Sequence, residues 1–336
     1  MKKTLVAVAA LAAVTGAMAE VTISGFVDGG VSSIKSTTTA GVSSTTNSVT
    51  SPGAGQSQIT FAASEDLGGG TTALANIRLN PSIFAGTITS DVSEIGLKGA
   101  FGTALIARDF SIDFFTHAAA DASGWTSGAE GVVHNISATA GNAVAYVLPT
   151  FVEGLGVVLA RGFAGNAGGG GDGTAYKLTY KTGGFMGEYA ASSTKTSSTS
   201  LWTEDFTIGG TATDTETLAV GGTVKTSAIA LTYDLGVAKL HGGMFNSSAS
   251  ADGDQKASSY MYGVSAPIGA TTLGLTISGA DRTNSSNVTK KATGYRISAF
   301  YSLSKRTSAY VAYGSESKSS TTAKDTQSML GVKHSF

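Results

Sequence analysis

The feature that most constrains this chain is a two-residue alternation of apolar and polar side chains that recurs from end to end. It is seen in Val21-Thr22-Ile23-Ser24, in Gln58-Ile59-Thr60-Phe61-Ala62, in Tyr176-Lys177-Leu178-Thr179-Tyr180 and in the closing Leu330-Gly331-Val332-Lys333-His334-Ser335-Phe336. A period of two sorts side chains onto the two faces of a strand. Helical spacing is nowhere sustained, and the abundance of Ser, Thr and 45 Gly disfavours helices. Beyond residue 19 no apolar run approaches the roughly 20 residues that a membrane-spanning helix needs.

The connections are sorted as well. Short turns lie at Asp66-Leu67-Gly68-Gly69-Gly70, Gly99-Ala100-Phe101-Gly102, Thr182-Gly183-Gly184, Asp234-Leu235-Gly236 and Pro267-Ile268-Gly269-Ala270. Between them stand long polar segments at 34–56, 110–140, 194–216, 247–258 and 316–325. Short turns at one end and long loops at the other are the signature of a transmembrane β-barrel, with the turns periplasmic and the loops extracellular.

Composition agrees. Charged residues make up 13% of the chain, about half the roughly 25% of a soluble domain, so the surface is not coated as water would require. With 22 basic against 23 acidic residues there is no excess to steer the chain onto nucleic acid. The absence of Cys removes disulfide frameworks, Cys zinc sites and thiol nucleophiles together. At the start, Lys2 and Lys3 precede an apolar stretch from Leu5 to Val14 and the small-residue site Ala17-Met18-Ala19. This reads as a signal peptide over residues 1–19, with the mature barrel domain at 20–336.

Sixteen segments, from 21–33 to 326–336, carry the strand pattern. The predicted fold is all-β, an antiparallel 16-stranded transmembrane barrel whose even count lets the last strand close on the first. If Phe206-Thr207-Ile208 and Leu218-Ala219-Val220 form a further hairpin, the count becomes eighteen. Either barrel is too wide for its side chains to fill, so the lumen is expected to be an aqueous channel for small solutes. The selective element is then whatever narrows it. The candidate is the segment 110–140, too long and too apolar in its first half for a solvated loop, which carries Asp113, Phe114, Phe115, Asp121, Trp125 and Glu130.

Several motifs resemble the trimeric general porins of Gram-negative outer membranes. Thr22-Ile23-Ser24-Gly25-Phe26-Val27-Asp28 is similar to that family's first strand, and Ser64-Glu65-Asp66-Leu67-Gly68-Gly69-Gly70 to its first turn. Glu94-Ile95-Gly96-Leu97-Lys98-Gly99-Ala100-Phe101-Gly102-Thr103 resembles the hairpin before the third loop. Tyr301-Ser302-Leu303-Ser304-Lys305-Arg306-Thr307 with Tyr310 resembles a late periplasmic turn, and Gly331-Val332-Lys333-His334-Ser335-Phe336 the closing strand. The resemblance implies a homotrimer, passive diffusion of small hydrophilic solutes and ions, and a third loop folded into the lumen against basic residues on the facing wall. It also implies that Phe336 belongs to an assembly signal. The expected partners are sister subunits, outer-membrane lipid and lipopolysaccharide, the barrel assembly machinery, and the solutes themselves; no nucleic acid and no cofactor are expected.

Alternation assigns wall residues to faces. Ala75, Ile77 and Leu79 form an apolar face, so Asn76 and Arg78 point inward; Ile95 and Leu97 face lipid, so Glu94 and Lys98 face the lumen. On the next strand Leu105 and Ala107 are taken as outward, which turns Arg108 inward. Where the family pattern often has basic residues, this chain has Gln58, Ala62 and Ala145. The remaining basic wall of Arg78, Lys98 and Arg108, with Arg161 as a further candidate, would face Asp113, Asp121 and Glu130. Charges at a constriction decide which ions pass, and this reduced set predicts weak charge selectivity. Arg108 has a plainer reading too, as an ion pair with Asp109 at the loop root.

Tyr180, Tyr189, Tyr233, Tyr262, Tyr301 and Tyr313 lie near strand ends on the apolar face and suit an aromatic girdle. No catalytic arrangement survives inspection. Gly168-Gly169-Gly170-Gly171-Asp172-Gly173 contains a G-x-G-x-x-G pattern, but a strand rather than a helix follows it, so no helix N-terminus awaits a phosphate. His117, His134, His241 and His334 lack metal-ligand spacing, and no G-x-S-x-G elbow occurs. Asp252-Gly253-Asp254 reads as a solvated outer loop. Two other classes stand as alternatives: a substrate-specific channel, which would need an inward aromatic file beyond Phe26, Trp125, Phe300 and Tyr310, and a secreted adhesin, which would need an internal repeat.

Overall fold

The computed structural model describes residues 20–38, 40–50, 55–82, 84–110, 112–124, 139–164, 172–195, 202–203, 215–216, 222–250, 254–283, 287–318 and 324–336. The strands are β1 (Glu20–Thr37), β2 (Ser43–Thr50), β3 (Gln58–Asp66), β4 (Thr72–Ser82), β5 (Thr87–Gly99), β6 (Gly102–Phe110), β7 (Thr139–Val147), β8 (Leu155–Gly162), β9 (Asp172–Thr182) and β10 (Phe185–Lys195). They continue with β11 (Trp202–Thr203), β12 (Thr215–Glu216), β13 (Thr223–Asp234), β14 (Lys239–Ser250), β15 (Asp254–Ile268), β16 (Thr271–Thr283), β17 (Thr289–Ser302), β18 (Thr307–Lys318) and β19 (Lys324–Ser335). One helix, α1 (Ile112–Ala120), follows β6.

Each strand pairs antiparallel with its neighbour, and β19 closes on β1 from Phe26↔Ser335 to Thr37↔Lys324. Ring closure pairs the two end strands with each other, so that neither is left as an unpaired edge, which lipid would not tolerate; toward the loop end, among the described residues, β2 is laddered to β1 alone. Phe336 completes the seam, its N–H donating to Gly25 O at 3.0 Å while Gly25 N–H donates to Phe336 O at 3.2 Å.

The barrel has sixteen staves, the second of them built from two pieces. The lower half of β1 pairs with β3 and its upper half with β2. Ser57 is buried at the break: Asp28 N–H donates to its Oγ at 2.9 Å, and the hydroxyl donates to Asp28 O at 3.2 Å. The eighteen-strand alternative is overturned, because β10 pairs directly with β13 from Phe185↔Tyr233 to Lys195↔Thr223. Strands β11 and β12 form a separate two-residue ladder outside the barrel. The segments 206–208 and 218–220 lie outside the described residues.

Two segments expected as long loops are largely strand. β14 runs to Ser250 and β15 starts at Asp254, while 34–56 contains the end of β1 and all of β2. These stretches, rich in Ser and Thr, show no apolar alternation because both faces are polar there, so only backbone pairing holds them.

The outer face is apolar. Ile23 is 60% exposed, Ile95 61% and Leu330 58%. Such exposure is costly in water and suits lipid. The six girdle tyrosines expected on this face are all exposed there. Of the candidate inward rings, Phe26, Phe300 and Tyr310 do face the interior, where Tyr310 O–H donates to Asp28 Oδ1 at 2.7 Å and its ring lies 5.5 Å from Phe300. No helix among the described residues is long and apolar enough to cross a membrane.

Candidate pore constriction

The connection after β6 turns inward as α1 and lies along β9, β10, β13, β14 and β15. Its apolar side, with Ile112, Ala119 and Ala120, packs on Ala190, Ala228, Ala230, Phe245 and Met261. Small side chains dominate because the helix lies close to the wall. A Cβ on Gly243 would come within 2.7 Å of the Ala120 methyl, and one on Gly263 within 2.8 Å of the Ala122 methyl. The wall therefore offers Gly and Ala at the points of closest approach, with Phe245 and Met261 filling the space beside them.

Polar anchors fix the register of this contact. Thr226 on β13 donates its hydroxyl to Asp113 Oδ2 at 2.8 Å and accepts from Ser192 at 2.7 Å. Past the helix, Thr276 on β16 donates to Asp121 Oδ1 at 2.7 Å and accepts from Ala122 N–H at 3.0 Å. The same Asp121 oxygen receives Ser123 N–H at 2.8 Å and Ser123 O–H at 2.7 Å, and Ser298 on β17 donates to Ser123 O at 2.8 Å. His241 Nδ1 lies 3.1 Å from Ala119 O. A carbonyl only accepts, so Nδ1 carries the proton and Nε2 accepts from Ser265 at 3.0 Å. His117 stands edge-on to Phe245 with ring centroids 4.4 Å apart. Burial pushes its imidazole down to about 4, while the charge of Asp121 pulls weakly the other way.

The expected site residues fall in different places. Arg78 faces the lumen from β4, and β4 stands eight staves from β14 in the ring of sixteen, so it looks across the lumen at the wall that carries α1. Its Nε bonds Asp91 Oδ1 at 2.8 Å. Asp91 is the extra residue of a bulge, for the ladder passes from Arg78↔Val92 to Leu79↔Ser90. A bulge turns its additional side chain toward the facing residue of the partner strand, and alternation alone does not locate it.

Asp113 and Asp121 are brought to the wall rather than to open water: Asp113 is buried and Asp121 is half-buried under its three donors. Lys98 is inward but sits beside the short turn, opposite Thr72 and Thr103, away from α1. Glu130 and Trp125 lie outside the described residues.

The expected orientation of Arg108 is corrected. Ile95 pairs with Ile106 and Ser93 with Arg108, so Arg108 shares the outer face with those isoleucines, while Leu105 and Ala107 turn inward. The run Ala104-Leu105-Ile106-Ala107 is apolar at every position, so its own alternation is silent and only pairing with β5 decides. Arg161 is likewise outward, opposite Val144; there it bonds Asp172 at 3.4 Å.

Several inward charges were missed. Lys177 bonds Glu188 at 2.8 Å and lies 5.6 Å over the Phe115 ring, linking the wall to α1. Arg282, Arg296, Glu316 and Asp325 are buried on the inner side of β16–β19. There Arg296 Nη2 approaches Gln327 Oε1 at 3.5 Å, and Gln327 Nε2 donates to Ser32 at 3.0 Å. The outward pair Tyr295 and Ile297 is the signal that would have placed Arg296 inside.

A family model described as Gram-negative porin matches residues 7–321. Outer membrane porin protein 32 of Delftia acidovorans is 32% identical over 299 residues, which span 80% of this chain and 77% of the relative. Among solved structures, the anion-selective porin from Comamonas acidovorans has a TM-score of 0.74 at 21% identity, covering 95% of this chain and 100% of that one. The trimer form of OmpT from Vibrio cholerae has a TM-score of 0.72 at 10% identity, covering 95% and 99%. These two likenesses concern the fold. With a closed barrel, an inserted helix and a family match across nearly its whole length, the chain belongs to the Gram-negative porins, outer-membrane channels for passive diffusion of ions and small hydrophilic solutes.

Proposed function

We propose that this channel is a weakly charge-selective general pore, with its constriction between α1 and the wall that bears Arg78. The observation that carries this reading is local pairing: Arg78 stands against Asp91 and Lys177 against Glu188, each at 2.8 Å. A charge with a counter-charge in contact projects little field into the lumen, so neither sign of ion gains much. Asp113 and Asp121 act chiefly as anchors of the constriction segment. Lys98 sets the potential at the periplasmic mouth, and Glu130 adds to the constriction from the second half of the loop. The channel carries out no chemistry on its solutes.

The pore works as a homotrimer. Ten of the eleven tyrosines are on or beside the outer face, and all of these lie between β7 and β18; none falls on β1–β6 or β19. A stretch of outer wall without headgroup-level tyrosines is suited to a sister subunit rather than to lipid. The chain is exported by residues 1–19, with cleavage after Ala19, and Phe336 serves the assembly machinery as a terminal signal.

Purified protein in a planar bilayer under a salt gradient tests the reading. Conductance steps in threes, with a reversal potential well short of the Nernst limit for either ion, are expected. A potential near the chloride limit would overturn weak selectivity, and single steps only would overturn the trimer.

A further inference from the structure

The inserted helix carries one large apolar side chain that its docking does not use. At about 100° per residue, the buried Asp113, Thr116, His117 and Ala120 fall within one arc of α1, and Phe115 lies roughly 150° from the middle of that arc. Its ring is 44% exposed. The surroundings are the water of the lumen, on the segment that narrows the passage, and water solvates an exposed phenyl ring poorly.

The ring is also held in place. Lys177 Nζ lies 5.6 Å from its centroid, over one face, and that ammonium is fixed by Glu188 at 2.8 Å. Phe114 braces it edge to face, with centroids 5.9 Å apart and planes at 76°. Ala118, three residues on along the same side of α1, has only a methyl group to set beside the ring. The ammonium draws on the π cloud from its own side, which leaves the open face of Phe115 poorer in electrons than that of a plain phenyl group.

We propose that Phe115 is a stacking platform for small planar aromatic carboxylates in transit through the pore. The inference rests on the reading that α1 lines the constriction, and it goes beyond that reading by naming a class of solute. The solute's ring would lie offset on the open face of Phe115, the arrangement that aromatic pairs prefer over a direct sandwich, with its carboxylate left in lumenal water. An aromatic cation in the same place would meet the field of Lys177 through the ring, so the platform favours the anion. Inorganic ions gain little, because Lys177 and Glu188 together carry no net charge. The pore thus discriminates by flatness where it discriminates weakly by sign.

Planar-bilayer recordings of the full-length protein in potassium chloride test this, with benzoate, cyclohexanecarboxylate and benzylammonium added in turn as probes. Conductance in potassium chloride alone is recorded first for every variant, and each probe's effect is read against it. Failure of the pore reading then shows in the chloride record, and failure here only in the probe response. Benzoate is expected to reduce the current saturably, and Phe115→Leu to need about fivefold more benzoate for half the effect. Phe115→Trp, which restores a ring, is expected to respond at least as strongly as wild type. Equal sensitivity of wild type and Phe115→Leu would overturn the platform. Loss in Phe115→Trp as complete as in Phe115→Leu would overturn it too, assigning the effect to the position of α1 rather than to a ring. Cyclohexanecarboxylate acting as strongly as benzoate would show apolar contact without aromatic recognition, and benzylammonium acting as strongly would overturn the preference for anions.

Discussion

Arg78 Nε and Asp91 Oδ1 meet at 2.8 Å across the β4–β5 ladder, at the one point where its register slips by a residue. Thirteen positions apart in the chain, they pair because the bulge turns Asp91 to the side of the wall that Arg78 occupies. The channel thereby keeps its Arg78 charge while muting its field.

Removing either partner of this pair should shift ion preference in opposite directions. Asp91→Asn leaves the guanidinium uncompensated and is expected to raise the chloride-to-potassium permeability ratio by about twofold or more; Arg78→Gln should lower it by a similar factor. Reversal potentials of the two variants under one salt gradient check this, and a shift of both in the same direction would refute the pairing.

The anchors of α1 predict noise rather than unfolding. Thr226→Val removes a donor from Asp113, a buried carboxylate, at a cost of about 1–3 kcal/mol to docking. Thr276→Val should act alike at Asp121. The barrel ladders are untouched, so thermal melting should barely move while open-channel current noise rises.

Close approach gives a steric counterpart. Gly243→Ala places a methyl 2.7 Å from Ala120 Cβ, so α1 must shift toward the lumen axis. Single-channel conductance is expected to fall, and Gly242→Ala, one residue away with open space around it, should leave it unchanged.

His117 predicts a pH window. Its folded value near 4 lies below the ordinary 6.5, so the docked imidazole refuses a proton that the undocked one accepts. Docking of α1 is full above pH 6.5 and weakens by about 1.4 kcal/mol per pH unit as pH falls toward 4, roughly 3 kcal/mol in all. Below that both forms are charged and no more is lost. Current noise should therefore rise between pH 6.5 and 4, and His117→Leu should reduce that dependence, leaving only the share of His241, which also holds α1 through Ala119 O.

The tyrosine-free side predicts where subunits meet. Ile106→Lys, on the face shared with Ile95 and Arg108, is expected to convert trimers to monomers on semi-native gels while each barrel stays heat-modifiable. Leu231→Lys, on the tyrosine-bearing side, should cost about 2–4 kcal/mol of barrel stability against lipid without dissociating the trimer.

Much of this molecule could be read without coordinates. Alternation such as Val21-Thr22-Ile23-Ser24 fixes which side chains meet lipid, and the short Gly turns mark strand ends. Both are local properties of a period-two backbone. The sixteen-stave count, the inward Arg78, the girdle tyrosines and the insertion of the segment after β6 all follow from such local signals. Local pattern fails where a stretch is uniform: the polar 43–50 hides a strand, and the apolar 104–107 hides a face, so alternation points Arg108 inward while pairing with β5 places it outward.

What remained for the tertiary structure is the set of contacts between residues distant in sequence. The bond of Thr226 to Asp113, the approach of Ala120 to Gly243 and the slip that delivers Asp91 to Arg78 depend on inter-strand register, and register is set by all the ladders closing together. The amino-acid sequence by itself determined a membrane barrel with a wide polar lumen, because each strand declares its own two faces. Which charges neutralise one another inside that lumen was decided only when the ring closed, because a one-residue shift in any ladder would change every partner.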